Sequence, residues 1–480
     1  MQVKKLVSLC AIACAAIGGQ AHAAITPAEQ AVVTDAVTNG RVIFISGASA
    51  TQKGFTGIIS AMFTGTPIRF ANTTASSKDF EAVAGTLAAG AGPWSGQKVI
   101  IIDRVKGGSV FGVDPVARNT PIESLSVTAA CGSAVLGGAG TAASPYVCAT
   151  TAVADYMKPD AGVSDVAPGL FQSPVNTEGE TAAPSLNAAE LDDLTATPIY
   201  GLAFGVPLTK NLPLFNLNKA AVSAIMTGNV GTWNQVDASL PADDIVVCRR
   251  VPGSGTQAVD NLHFGNFPCS ASEVNFPADR DSSGAWDPVA RKYTVTAGSG
   301  ALVVVENSTS GDVKLCMDKA VTGGTFAGKD RDGNLVTVDF GAGGHKAIGV
   351  LSMDSLKDSK TTGNWQFRSL DGAGSYTWDN IAVAPVATGT GKFPTLANYV
   401  DGTWDLQGWV SFNVPSRTVG AKKAVLDRFL VKAQDPAILA SITDLKNVAA
   451  AIPGGAYSGA QVLRSAYVGG SQCAPLNRNF

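Results

Sequence analysis

Charge and histidine are what this chain has least of. Only 15% of its 480 residues are Asp, Glu, Lys or Arg, against about 25% in an average soluble protein. That excludes a disordered chain, which stays expanded through unbalanced charge and scarce apolar residues. There is no basic run, and Lys plus Arg number 35 against 38 for Asp plus Glu. A general nucleic-acid binder is therefore disfavoured, because phosphate backbones demand a cationic face. No CxxC pair occurs, which argues against a zinc ribbon or a thioredoxin-type centre. Neither a GxSxG elbow nor an HExxH motif is present. Of three histidines, only His263 and His345 lie beyond the N-terminal segment. Neither has metal-type spacing, and both read as structural. What the chain does have is 45% hydrophobic residues and 53 glycines, enough for a sizeable core with many turns. Its length suggests roughly three units at about 150 residues each.

The first residues read as an export signal. Lys4 and Lys5 form the positive region, Leu6 to Ile17 the apolar region, and Ala21-His22-Ala23 a small-x-small cleavage site, with the cut after Ala23. A bilayer span needs about 20 apolar residues, so this run is too short, and no later segment approaches that length. A lipoprotein acylated at Cys14 is a weaker alternative. The expected location is the periplasm, with the cell surface or medium as alternatives. Loss of Lys4 and Lys5 takes the formal charge from −3 to −5. Six cysteines remain: Cys131, Cys148, Cys248, Cys269, Cys316 and Cys473. An even number in an oxidising compartment suggests disulfides. Proximity favours Cys131–Cys148 and Cys248–Cys269, leaving Cys316–Cys473.

Strand-like runs alternate with helical spacing, the pattern of an α/β chain. Val42 to Ile45 is a short apolar strand before the small-residue turn Ser46–Thr51. Phe55, Ile58, Ile59, Met62 and Phe63 then recur at helical spacing. Val99 to Ile102 and Ile199 to Val206 are further buried strands. The stretch from Thr120 to Met157, rich in Gly, Ala, Ser and Thr, reads as a surface insertion pinned by a disulfide. Asn218 looks like an N-cap for a helix carrying Ala221, Val222, Ile225 and Met226, stopped at Gly228. Tyr293 to Thr296 and Leu335 to Phe340 alternate as hairpin strands. Asp330–Asn334 resembles a calcium loop but lacks its downstream Glu, so a tight turn is expected there. Ala421, Val425, Leu426, Phe429 and Leu430 mark an amphipathic helix. The pairs Asp192-Asp193 and Asp243-Asp244 read as solvated loop charges. Gly389-Thr-Gly-Lys392 lacks the first glycine of a P-loop.

The most informative segment runs from Asp244 to Thr256. A strand ends in Arg249-Arg250, passes through Gly253-Ser254-Gly255-Thr256 and opens a helix. First-turn amides have no intrahelical acceptor and carry the positive end of the helix dipole. Glycine lets the backbone approach a ligand closely. Arginine supplies a planar fork suited to two oxygens of one anion. An ordinary N-cap turn has the same local sequence, so this segment alone leaves both readings open.

Several segments in fixed order resemble the periplasmic phosphate-binding proteins of ABC-type phosphate importers (PstS-type). These are Ser46-Gly-Ala-Ser-Ala-Thr51, Gly107-Gly108-Ser109 with Gly112, Gly162-Val-Ser-Asp165-Val-Ala-Pro168, the Leu217–Asp237 stretch with Thr232-Trp233-Asn234, and Arg250 with Gly253-Ser-Gly-Thr256. Ala347-Ile-Gly349 and Val400-Asp-Gly-Thr-Trp404 follow. The resemblance implies an α/β, two-lobed type II periplasmic binding-protein fold with hinge strands and surface insertions. Lobe 1 would take residues 24–204 and return over 366–480; lobe 2 would take 205–365. It also implies ligand contacts at Thr51, Ser109, Asp165, Arg250, Ser254, Gly255 and Thr256. Asp165 would accept the proton of hydrogen phosphate and reject sulfate, because a buried carboxylate without a donor is penalised. The resemblance implies phosphate or a related oxyanion as ligand, an ABC permease as partner, a monomer, no metal or cofactor, and no catalysis. With a net charge near −5, attraction would come from local dipoles and Arg250, so salt sensitivity should be modest.

Two positions depart from the pattern. Gln52 stands where the family has an aromatic residue. Pro252 stands where it often has an Asp that pairs with the binding arginine, which would leave Arg250 less constrained. Two other functions stay open: a surface structural or assembly protein that kept the fold, and a secreted phosphoester hydrolase.

Overall fold

The computed structural model describes residues 25–75, 78–133, 136–173, 175–177, 184–270, 276–277, 285–296, 298–330, 334–355, 363–371, 376–377, 386–387, 395–453 and 460–478. The expected export signal and Gly389–Lys392 lie outside these residues.

Two sheets share one strand plan. In the first, Val42–Gly47 lies between Lys98–Arg104 and Ala161–Ser164, parallel to both. Gln407–Pro415 runs antiparallel beside Ala161–Ser164, and Leu194–Gly205 follows it. In the second, Ile245–Arg250 lies between Val303–Asn307 and Lys346–Gly349, again parallel to both. Pro207–Thr209 runs antiparallel beside Lys346–Gly349, and Trp365–Phe367 follows it. In the second sheet Pro207–Thr209 continues directly from Leu194–Gly205 of the first. The strand order itself makes this a two-lobed α/β fold of the type II binding-protein kind.

The chain crosses between lobes where Leu194–Gly205 passes through Val206 into Pro207–Thr209. It crosses again where Lys346–Gly349 passes through Val350 into Leu351–Ser352, which pairs back onto Phe204 and Gly205. Pairing within the second lobe then resumes and runs to Leu370, opposite Leu217.

Val42 to Ile45 and Val99 to Ile102 form the centre of the first sheet because parallel strands are covered on both faces; Ile43 to Ile45 and Val99 to Ile102 are all buried. The helix Gln52–Ser60 packs Phe55 against Phe429 of the helix Gly420–Ala433, with ring centroids 4.8 Å apart. Asn218 caps Lys219–Met226 by accepting from the Ala221 amide at 2.6 Å, as its position predicts.

Two expectations are corrected. Cys131–Cys148 forms, but Cys248 pairs with Cys316 and Cys269 with Cys473. Between Cys248 and Cys269 runs the helix Gly255–Gly265. Its length, about 16 Å at 1.5 Å per residue, carries Cys269 away from the strand. Cys316 instead sits on the helix Ser310–Thr322, packed on that sheet. Both expected hairpin strands form: Lys292–Thr294 pairs antiparallel with Trp286–Asp287 and Leu335–Asp339 with Thr325–Lys329, and the two also lie parallel to each other. The Asp330 carboxylate accepts from the Asn334 amide at 2.8 Å; residues 331–333 of the expected tight turn lie outside the described residues. Asp244 is not solvated. It is buried and accepts from the amides of Gly298, Ser299 and Gly300. Its neighbour Asp243 pairs with Lys346. Finally, a helix at Pro27–Thr38 was not anticipated, although Thr26 and Glu29 form a capping box there.

Candidate functional site

The carboxyl ends of the parallel strands in both sheets meet across the cleft, the position where open α/β sheets bind ligands. Five segments converge: Ser49–Thr51, Gly108–Ser109, Asp165, Arg250–Thr256 and Ser308–Ser310. The lobes touch directly, since the Val110 amide donates to the Gly253 carbonyl at 2.9 Å. Gly108 (φ +84°) and Gly253 (φ +83°) occupy the left-handed region, which an L side chain rarely adopts. A Cβ on Gly108 would also stand 3.3 Å from the Ser254 Cα.

Arg250 ends its strand fully buried. Its Nε donates to the Asn307 carbonyl at 3.2 Å, and its Nη2 to the Ser308 carbonyl. Its Nη1 donates to Ser49 Oγ at 3.1 Å, across the cleft, and to Ser310 Oγ at 3.2 Å. The expected loosening from Pro252 is therefore absent: carbonyl and hydroxyl oxygens hold the guanidinium. The strand's end is fixed further by the Arg250 amide donating to Gln257 Oε1 at 3.1 Å.

Ser254 caps the helix Gly255–Gly265, its Oγ accepting from the Gln257 amide at 3.4 Å. The start of this helix presses against the other lobe. A Cβ placed on Gly255 would stand 2.2 Å from Ser109 Oγ and 2.5 Å from Asp165 Oδ2. Asp165 is buried, and its amide donates to Ser109 Oγ at 3.2 Å. Neither of its carboxylate oxygens accepts a well-formed hydrogen bond, and the one hydroxyl acting on them is that of Ser109 beside them. Burial pushes this carboxyl up to about 7, against the downward pull of the Arg250 charge and the adjoining Ser109 hydroxyl; Asp354 adds a smaller upward push. Thr256 Oγ1 is likewise buried without a partner. Thr51 is buried too, but its hydroxyl donates to the Ala48 carbonyl at 2.9 Å, within its own turn.

The structure thus brings Asp165, Ser109, Ser254, Gly255 and Arg250 into one buried cluster, with Thr51 and Thr256 on the same two turns. Three participants were missed by sequence: Ser49, Ser310 and Gln257. Ser49 could have been found in the turn already singled out for Thr51. Ser310 follows a strand and opens a helix, repeating the logic of the Gly253–Thr256 turn in the same lobe. Beside the cluster the cleft widens into a cavity of about 450 Å³, walled by both lobes. Asp79 and Lys329 face each other across the cleft at 3.7 Å.

The histidines take the structural roles expected. His263 is half-buried, 3.4 Å from Asp405 Oδ1, and desolvation lowers its pKa. His345 lies against the Phe340 carbonyl at 3.3 Å. Among the described residues there is no cluster of three metal-ligating side chains, and no helix is long and apolar enough to cross a membrane.

No family model matches the chain, and no curated protein matches it. Among solved structures, it is similar to a putative phosphate ABC transporter substrate-binding protein with bound phosphate from Clostridium perfringens, at 12% identity and TM-score 0.41, over 85% of this chain and 98% of that one. It is similar to PstS from Borrelia burgdorferi at 10% identity and TM-score 0.36, over 85% and 98% of the two chains. A third is a DING protein, at 12% identity and TM-score 0.42, over 85% and 90%. So remote a likeness leaves the ligand to be argued from this chain's own residues.

Proposed function

We propose that this chain is an exported substrate-binding protein that captures phosphate or a similar tetrahedral oxyanion between two lobes. Lobe 1 would comprise residues 24–204 and lobe 2 begin at 205; the return to lobe 1, expected at 366, is moved past Leu370, because Trp365–Phe367 and Ser369–Leu370 pair with Pro207–Thr209 and Asn216–Leu217. The mechanism is capture and release without covalent chemistry, and the closed form would hand its ligand to an ABC permease. The observation that carries the reading is Asp165. A buried carboxylate short of donors is costly, yet it stands against a helix start, a serine hydroxyl and an arginine, a setting otherwise built for an anion. A protonated oxyanion resolves the conflict by donating one hydrogen bond to Asp165 while accepting from the amides, hydroxyls and guanidinium around it. Closure would exclude water and strengthen each of these bonds.

Calorimetric titration of the mature chain with phosphate and sulfate tests this. Phosphate should release heat, and Asp165→Asn or Arg250→Lys should weaken it at least tenfold. Because Arg250 also braces the cleft, circular dichroism should first show that each variant is folded. Absence of heat with any oxyanion would favour a structural protein, and turnover of a phosphoester would favour an enzyme.

A further inference from the structure

The cleft holds more room than a tetrahedral anion needs. Its cavity of about 450 Å³ falls within the roughly 300–1,000 Å³ typical of sites for small organic molecules. An oxyanion is one central atom and its oxygens. The cavity adjoins the Arg250 cluster through two hydroxyls, since Ser49 and Ser310, which both accept from Arg250 Nη1, line it. Beyond them the lining alternates donors and acceptors. Gln52, Lys78 and Asp79 come from the first lobe, with Asp312, Lys314 and Asp318 from the second. Acidic groups outnumber basic ones, Asp79, Asp312, Asp318 and Asp354 against Lys78 and Lys314, so a second anionic group is not favoured. The charged groups disfavour a plain hydrocarbon, while Val105, Leu315 and Trp365 give the wall apolar patches that a sugar or polyol carbon skeleton can cover. Hydroxyl groups suit such a wall, because each both donates and accepts.

We propose that the ligand is a phosphate monoester of a small polyol or sugar, with its phosphoryl group at the Arg250–Asp165 cluster and its hydroxylated part in the cavity. This rests on the oxyanion reading and extends it. A monoester keeps three non-bridging oxygens for the cluster and directs its fourth substituent into the cavity. Its second ionisation lies near pH 6, so at neutral pH it is mostly a dianion that needs donors on every side. The bound pair therefore needs one proton between the monoester and Asp165, carried in either by the monoanionic ester or by the carboxyl, which burial holds up to about 7.

The test is titration of the mature protein at pH 7 with inorganic phosphate, glycerol 3-phosphate, glucose 6-phosphate, glycerol and glucose. At least one ester should bind ten times or more tighter than inorganic phosphate, and the free alcohols should give no heat. Lys78→Ala or Asp312→Asn should lower the ratio of ester to phosphate affinity at least threefold. Inorganic phosphate binding as tightly as every ester would overturn this inference and leave the oxyanion reading standing. Silence with phosphate and esters alike would overturn both. Binding of a free alcohol as tight as that of its ester would remove the phosphoryl group as anchor and overturn the inference.

Discussion

Gly255→Ala isolates lobe closure from the chemistry of the anion. Gly255 opens its helix with ordinary backbone angles, so alanine is not strained locally and even favours a helix. The obstacle lies across the cleft, where the new methyl carbon would stand 2.2 Å from Ser109 Oγ, 2.5 Å from Asp165 Oδ2 and 2.6 Å from Asp165 Cβ. The hydroxyl can rotate away, but the Asp165 Cβ is tied to its strand end and can yield only with the backbone. Overpacking of this kind costs about 1–3 kcal/mol. Because the clash is between lobes, the cost falls on the closed form and an open form escapes it. Affinity for the oxyanion should therefore drop about 5- to 150-fold. The melting temperature without ligand should move by no more than a few degrees. Calorimetry and thermal unfolding, each with and without phosphate, read both quantities. An alanine variant that binds as tightly as the parent would refute closure through this contact.

Three other outcomes follow from the same geometry. Asp165 and Asp260 are buried carboxyls pushed up to about 7, chiefly by burial. Between about pH 4 and 7 the folded chain holds protons that the unfolded chain has lost, so stability should fall as pH rises, by about 1 kcal/mol per unit for each group. Urea midpoints at pH 5, 6, 7 and 8 should decline and then level above 7; a rising series would contradict this. The same proton controls selectivity. Near pH 5.5 Asp165 can donate to sulfate, whereas at pH 8.5 it cannot, so the preference for phosphate over sulfate should grow at least tenfold across that range in competition titrations. The Cys269–Cys473 bond ties the loop after the Gly255–Gly265 helix to the C-terminal segment, 204 residues on. Replacing both cysteines with serine should cost about 5 kcal/mol on the chain-entropy account, read as a loss of about five degrees in melting temperature for a chain of this length. Unchanged melting would show that the link adds nothing.

How much was legible in the sequence depended on how local the cause was. The strands around Val42, Val99 and Ile245 announce themselves as apolar runs because both faces of a parallel sheet are covered. Asn218 and Ser254 announce their helices because capping is a contact over three residues. Asp165 and Arg250 were named on resemblance, and their shared surroundings could not have been read from spacing, since 85 residues and a lobe crossing separate them. Long-range pairings escaped altogether. Cys269 finds Cys473 only because the helix Gly255–Gly265 carries it there, and Asp244 is buried only because Gly298 to Gly300 fold over it. The cavity beside Arg250 was invisible for the same reason, since its walls come from two lobes.

A crystal structure of the mature protein grown with arsenate, located by its anomalous scattering, meets the central claim most directly. Arsenate should sit within hydrogen-bonding distance of Asp165, Ser254 and the Arg250 guanidinium, with one oxygen 2.5–2.7 Å from the carboxylate, the length of a strong charge-assisted bond at about that range. Arsenate elsewhere, or its absence from this cluster at millimolar concentration, would contradict the account.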